Sequence, residues 1–139
     1  MPVTNPVTAV MEAFKTLDVK KISILTPYLE SVSEEVAQFF DEQGIEVLNT
    51  AGFGFENDTI MTFISPKDIK EAAIEVCHPD ADLVFISCTS LRASLVLDEI
   101  EKEIGRPVVS SNHALAWHSL KLVKYQQPIE GFGALMKKL

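Results

Sequence analysis

Asp82-Leu83-Val84-Phe85-Ile86-Ser87-Cys88-Thr89-Ser90-Leu91-Arg92 decides the fold. An apolar run bounded by Asp80, Ala81 and Asp82 on one side and by small polar residues on the other reads as a buried parallel strand. Cys88 then sits at its carboxyl end, where open α/β sheets bind ligands. Two hydroxyl residues follow and open a helical pattern, so the amides of Thr89, Ser90 and Leu91 are expected at a helix start, as an anion-binding nest that also favours a thiolate. Two readings of the cysteine stand. It is a nucleophile or acid/base beside a carboxylate pocket, or a small buried hydrophobe, since free Cys is among the most buried residue types.

Upstream, Asn5-Pro6 supplies an N-cap and a proline at the first helical position, and Val7, Val10, Met11, Phe14 and Leu17 keep helical spacing. Lys21 to Thr26 is a short β-rich run that Pro27 closes, so the first strand ends at Thr26-Pro27-Tyr28. Ser31-Val32-Ser33-Glu34 matches a capping box ahead of Val36, Phe39 and Phe40, and Gly44 ends that helix. A second strand follows in Ile45–Leu48. From Asn49 to Ser65 the pattern loosens into a long loop with Gly52, Gly54, Asn57 and Asp58, and such loops are usually functional or mobile. Ser65-Pro66-Lys67-Asp68 starts a helix through Ile69, Ala72, Ala73 and Val76 that leads into the organising strand.

Downstream, Leu91, Leu95, Ile100 and Ile104 bury one face of a helix ended by Gly105. Pro107 to Ser110 makes a fourth strand, and Asn112 caps a long helix carrying Leu115, Trp117, Leu122 and Val123. The tail from Pro128 to Leu139 adds a short helix. Strands alternating with helices give an α/β chain, a flavodoxin-like three-layer lobe with a four-stranded parallel sheet in the order 2-1-3-4. Its switch point lies between the strands ending at Thr26 and Ser87, so Thr26, Pro27 and Tyr28 face Cys88, Thr89 and Ser90 across one crevice.

The 139 residues suffice for one domain with a real core, and the 47% apolar and 23% charged fractions are those of a globular chain. The net charge of −8 argues against nucleic acid or an anionic membrane as partner, because no Lys/Arg cluster exists to neutralise phosphates. A small anion held by local amides is still allowed. Two cysteines in no paired spacing, without a signal peptide or long apolar span, fit a reducing cytoplasm. No metal site is supported: Cys77 and His78 are adjacent, and His113 and His118 lie off a common helical face. Residues 52–54 lack the third glycine or lysine of a phosphate loop, the first strand lacks the acidic pair of a response regulator, and Cys88 and Arg92 are too close for a cysteine phosphatase loop. Gly-x-Ser-x-Gly is absent. A cysteine, a tyrosine and hydroxyl-rich turns suit proton transfer or thiol addition at a carboxylate substrate.

Four motifs together resemble a family. Leu25-Thr26-Pro27-Tyr28, Glu56-Asn57-Asp58-Thr59-Ile60 with Ile64-Ser65, Ser87 to Arg92, and Ser110-Ser111-Asn112-His113-Ala114-Leu115-Ala116-Trp117-His118 occur in the order of the second half of the maleate isomerase and arylmalonate decarboxylase group, including ectoine-utilisation relatives, within the aspartate/glutamate/hydantoin racemase superfamily. The resemblance implies two pseudo-symmetric α/β lobes with the active site between them, no cofactor, and a small dicarboxylate substrate. It implies that Cys88 is the second-lobe catalytic cysteine, that Tyr28 hydrogen-bonds a substrate carboxylate, that Asn57 is a binding asparagine, and that Thr89 and Ser90 hold the other carboxylate. Without it, Tyr28 reads as a half-buried sheet-edge residue and Asn57 as a turn residue. His113 and His118 read as satisfied helix residues, Trp117 as core, and the acidic run from Asp98 to Glu103 as a solvated face.

The resemblance also implies a preceding lobe with its own asparagine and, in isomerases and racemases, a first cysteine. Residues 1–139 correspond to a single lobe, resembling the C-terminal half of such an enzyme, with the first lobe absent. Cys77, at a helix end away from the crevice, does not replace that cysteine. The expectation is a partial protein, or one that works by pairing with another subunit. The alternative is a non-catalytic lobe that binds carboxylates or serves in interaction. The first helix and the tail should pack near the lobe junction. There Val7, Val10, Phe14, Phe132, Leu135 and Met136 should form an exposed patch that drives homo-oligomerisation.

Overall fold

The computed structural model describes all of residues 1–139. In chain order the elements are α1 (Pro6–Thr16), β1 (Lys21–Tyr28), α2 (Glu30–Glu42), β2 (Glu46–Phe55), α3 (Asp58–Met61), α4 (Pro66–Val76), β3 (Leu83–Ile86), α5 (Leu97–Ile104), β4 (Val108–Ser110), α6 (Ser111–Leu122) and α7 (Gly133–Met136). The four strands are parallel and ordered β2-β1-β3-β4. Alternate side chains of β3 feed two cores. Leu83 and Phe85 pack with Val10 and Phe14 of α1, Phe40 of α2 and Trp117 of α6, whereas Val84 and Ile86 pack with Ile69 and Ala73 of α4 and Ile100 of α5. That is the three-layer arrangement read from the alternation of strands and helices. No helix is long and apolar enough to cross a membrane.

β1 ends at Tyr28, within the expected Thr26-Pro27-Tyr28 close, and the ladder to β2 shifts register between Thr26 and Tyr28, which leaves the proline at an irregularity where no N–H is needed. Several other local expectations are corrected. β2 correspondingly extends to Phe55, well past Leu48, so the long loop is half strand. Helix α2 begins at Glu30 after an uncapped Leu29, and the Ser31 capping box does not form. Ser33 instead shares a 2.6 Å hydrogen bond with Thr26 and donates to the Leu29 carbonyl. Asn112 is not the cap of α6; Ser110 is, accepting from the His113 N–H at 3.2 Å. Val123, expected on that helix, lies beyond it and is 74% exposed.

The largest correction follows Cys88. No helix starts at Thr89–Leu91; the chain turns, passes through a 3₁₀ segment at Ser94–Val96, and becomes helical only at Leu97, leaving Leu95 exposed. The acidic run is not wholly solvated either. Glu101 accepts from the Val108 and Ala134 amides and Asp98 from the Gly133 amide, which pins the tail to the sheet. That pinning also dissolves most of the expected patch: Val10, Phe14, Leu135 and Met136 are core, and only Val7 and Phe132 stay exposed.

Candidate active site

β1 and β3 are neighbours in register, Leu25 opposite Ile86, so Tyr28 and Cys88 emerge side by side at the carboxyl edge of the sheet. Cys88 is buried and has a φ of 109°, a conformation that disfavours every residue with a Cβ. Three bonds hold the turn it begins. The Cys88 N–H donates to Ser111 Oγ at 3.1 Å, Asn112 Nδ2 donates to the Thr89 carbonyl at 2.7 Å, and the Ser90 N–H donates to Cys88 Sγ at 3.3 Å. The first turn of α6 therefore sets the backbone, and the backbone in turn aims one amide at the sulfur. The nest of helix-start amides is replaced by this single donor, while the Thr89 N–H donates to no protein group.

Tyr28 lies against this thiol. Burial first, then the neighbouring Cys88 and the carboxylate of Asp58, push its phenol well above the ordinary range, with the Ser87 hydroxyl acting the other way. The phenol thus stays protonated and a hydrogen-bond donor. Its orientation is prepared by Thr26, buried at the strand end, whose hydroxyl accepts the Tyr28 N–H at 3.1 Å. Pro27 is buried between them.

Asn57 is exposed and caps α3, its Oδ1 accepting from the Thr59 and Ile60 amides at 2.8 and 3.3 Å. Its side chain is thus partly engaged, with Nδ2 left as a donor. Thr89 is exposed and Ser90 half-buried, and both line a cavity of about 320 Å³ completed by Leu91, Arg92, Ser94, Leu95 and Asn112. The structure brings Tyr28, Pro27, Cys88, Thr89 and Ser90 to one edge, and sets Asn57 on the adjoining loop beside Asp58. Sequence reasoning gave Ser111 no role of its own and Asn112 only that of a helix cap, not that of bracing the turn. A hydroxyl and a carboxamide directly after a strand, at a helix start, were the available signal.

A family model described as arylmalonate decarboxylase matches residues 1–136. Arylmalonate decarboxylase of Bordetella bronchiseptica is 27% identical over 124 residues, 88% of this chain and 52% of that protein. Maleate isomerase of Alcaligenes faecalis is 26% identical over 125 residues, 89% of this chain and 48% of that one. Among solved structures, a cysteine-to-serine mutant of Nocardia farcinica maleate cis-trans isomerase with a covalently bound succinylcysteine intermediate superposes with a TM-score of 0.92 at 20% identity, covering 96% of this chain and 55% of that one. The chain spans about half the length of the curated relatives it matches.

Proposed function

The chain belongs to the arylmalonate decarboxylase family, and from that premise we propose that it is one lobe of a cofactor-independent isomerase or lyase of small dicarboxylates, with Cys88 as the reacting group. The observation that carries the reading is the Cys88 turn: a strained, buried thiol at the carboxyl end of β3, with the Ser90 amide on its sulfur and a neutral phenol against it. A reactive sulfur needs a donor that tolerates its anionic form, and a carboxylate substrate needs donors beside it. Tyr28, Asn57 Nδ2, the Thr89 N–H and the Ser90 hydroxyl supply the latter, and Pro27 walls the crevice.

These groups can serve either of the two chemistries for which the relatives are named. In a maleate isomerase-like reaction the thiolate adds to one alkene carbon. The π pair moves onto the neighbouring carbon and its carboxylate as an enediolate, the new single bond rotates, and expulsion of the thiolate restores the alkene. In a decarboxylase-like reaction a carboxylate leaves as carbon dioxide, and the remaining enediolate takes the thiol proton at carbon. The chain works with a second lobe or a second copy, in a reducing cytoplasm where both thiols stay free.

Iodoacetamide tests the thiol. Cys88 should alkylate rapidly near neutral pH and be protected by maleate or malonate. Labelling no faster than at Cys77 and indifferent to both diacids would remove Cys88 from the role. Tyr28→Phe and Asn57→Ala should each weaken diacid binding by roughly tenfold to a hundredfold, the worth of a hydrogen bond to a charged ligand. A non-catalytic carboxylate-binding lobe is favoured by the half-length match alone. It would give the same binding with no alkylation bias at Cys88.

A further inference from the structure

We propose that Arg92 forms an anion subsite beside the thiol and fixes the substrate carboxylate remote from Cys88. The inference rests on the reading of Cys88 given above and adds to it a specificity-determining residue. Arg92 is one of 12 basic residues against 20 acidic ones, so an arginine here would be expected to find a carboxylate. It does not. The ion pairs of the chain are Lys67–Glu71, Lys70–Glu99 and Lys137–Glu130. Arg92 makes one hydrogen bond, from Nη2 to the Ile64 carbonyl at 3.2 Å. That bond ties the guanidinium to the segment between α3 and α4 and leaves most of its five N–H donors unused.

Those donors face neutral company. The cavity that Arg92 lines is otherwise bounded by the hydroxyl residues Thr89, Ser90 and Ser94, the carboxamide residue Asn112, and two leucines, with no acidic residue among them. Its volume of about 320 Å³ falls in the range of small-ligand pockets. It is also continuous with the reactive turn. Ser90, in its wall, donates its N–H to Cys88 Sγ, and Asn112, opposite, holds the Thr89 carbonyl. A planar guanidinium pairs with a carboxylate through two parallel bonds, fixing orientation as well as charge. The thiol itself does not line this cavity and joins it through Ser90, so a diacid with one carboxylate on the guanidinium and its reacting carbon at the Cys88 turn would be selected over a monoacid.

Two alkylating agents of the same shape and different charge read this directly. Rates at Cys88 are measured with iodoacetate and iodoacetamide, resolved from Cys77 by peptide mass spectrometry, and the ratio is divided by that of a free thiol such as N-acetylcysteine. The ratio should favour the anion by about fivefold and fall toward that of the free thiol in Arg92→Gln, with Arg92→Lys in between. About 0.5 M salt should erode the preference. The iodoacetamide rate itself should not change. In a Cys88→Ser background, malonate should bind about tenfold more weakly when Arg92→Gln is added, by calorimetry.

An Arg92→Gln ratio equal to the parent's, malonate binding indifferent to the substitution, or no malonate binding by either protein overturns the proposal. The two readings separate cleanly. If Cys88 is inert to both reagents yet malonate binding still depends on Arg92, the reactive thiol falls and the subsite stands. If Cys88 alkylates fast with no charge preference, the subsite falls and the thiol stands.

Discussion

Cys88 occupies a backbone conformation that costs on the order of 1–3 kcal/mol for a side-chain-bearing residue, and the cost is sustained by the Ser111 and Asn112 bonds that fix the turn around it. Glycine at φ 109° escapes that cost, so comparing Cys88→Gly with Cys88→Ala separates backbone strain from the loss of the sulfur. The glycine variant should be more stable than the alanine variant by about 1 kcal/mol in urea unfolding, and neither should retain alkylation at this position. Equal midpoints would mean that the turn is not strained. The conformation also explains why the sequence misled at this point. Thr89-Ser90-Leu91 carries residues suited to a helix start, but a left-handed residue directly before them turns the chain away from helix, and a one-dimensional pattern holds no sign of φ.

At the scale of elements, the strands of the α/β order were legible because continuous apolar runs have few other uses, and β3 and β4 fall where their patterns place them. β2 was not legible beyond Leu48. From Asn49 to Phe55 it is a largely exposed edge strand, with polar and glycine residues where a buried strand would carry Val or Ile, and only its pairing with β1 makes it a strand. Asn49 shows what the pattern hid: its side chain accepts from Ser23 Oγ at 2.6 Å and donates to the Val76 carbonyl at 2.7 Å, joining the sheet to the end of α4. Gly52 in the same stretch is a packing requirement and no phosphate loop. A Cβ there would stand 2.6 Å from the Tyr28 carbonyl oxygen and 3.1 Å from the Thr26 and Ser33 hydroxyls. Gly52→Ala should therefore cost roughly 1–3 kcal/mol by urea midpoint, because β2 must move away from the end of β1. It should also weaken diacid binding through the displaced Tyr28. A variant as stable as the parent, with unaltered binding, would show that the edge strand absorbs the methyl group without disturbing the site.

At the scale of the whole molecule, one feature bears on when the fold holds together and another on the self-association expected of it. His113, in the first turn of α6, is buried with neither ring nitrogen in a well-formed hydrogen bond, contrary to the expected satisfied helix residue. Burial pushes its pKa down to about 4, with the nearby Phe132 carbonyl and Asp98 acting the other way. The unfolded chain takes up this proton near pH 6.5 and the folded chain only near 4, so stability is intact above 6.5 and falls as pH drops through that window. The loss is on the order of 3 kcal/mol. Glu101, raised by burial, opposes it by favouring the fold toward acid, so the test is a difference. Stability of His113→Leu minus that of the parent should grow as pH falls from 6.5 to 4, and a constant difference would refute the titration. Assembly turns on the face that the tail does not cover. Val7 of α1 and Val32 and Phe39 of α2 are 50%, 37% and 37% exposed around a groove of about 290 Å³. Its floor includes Ser87 and Ser111, the residues that flank and brace Cys88. A second copy seated there by two-fold symmetry would bury the apolar rim and cover the serines that flank and brace Cys88. Sedimentation at micromolar concentration should therefore show a dimer, and Phe39→Glu, on an exposed helix face, should return it to 15.4 kDa without unfolding it. A parent chain that sediments as a monomer with no binding of an apolar dye would leave the groove without a partner in its own kind.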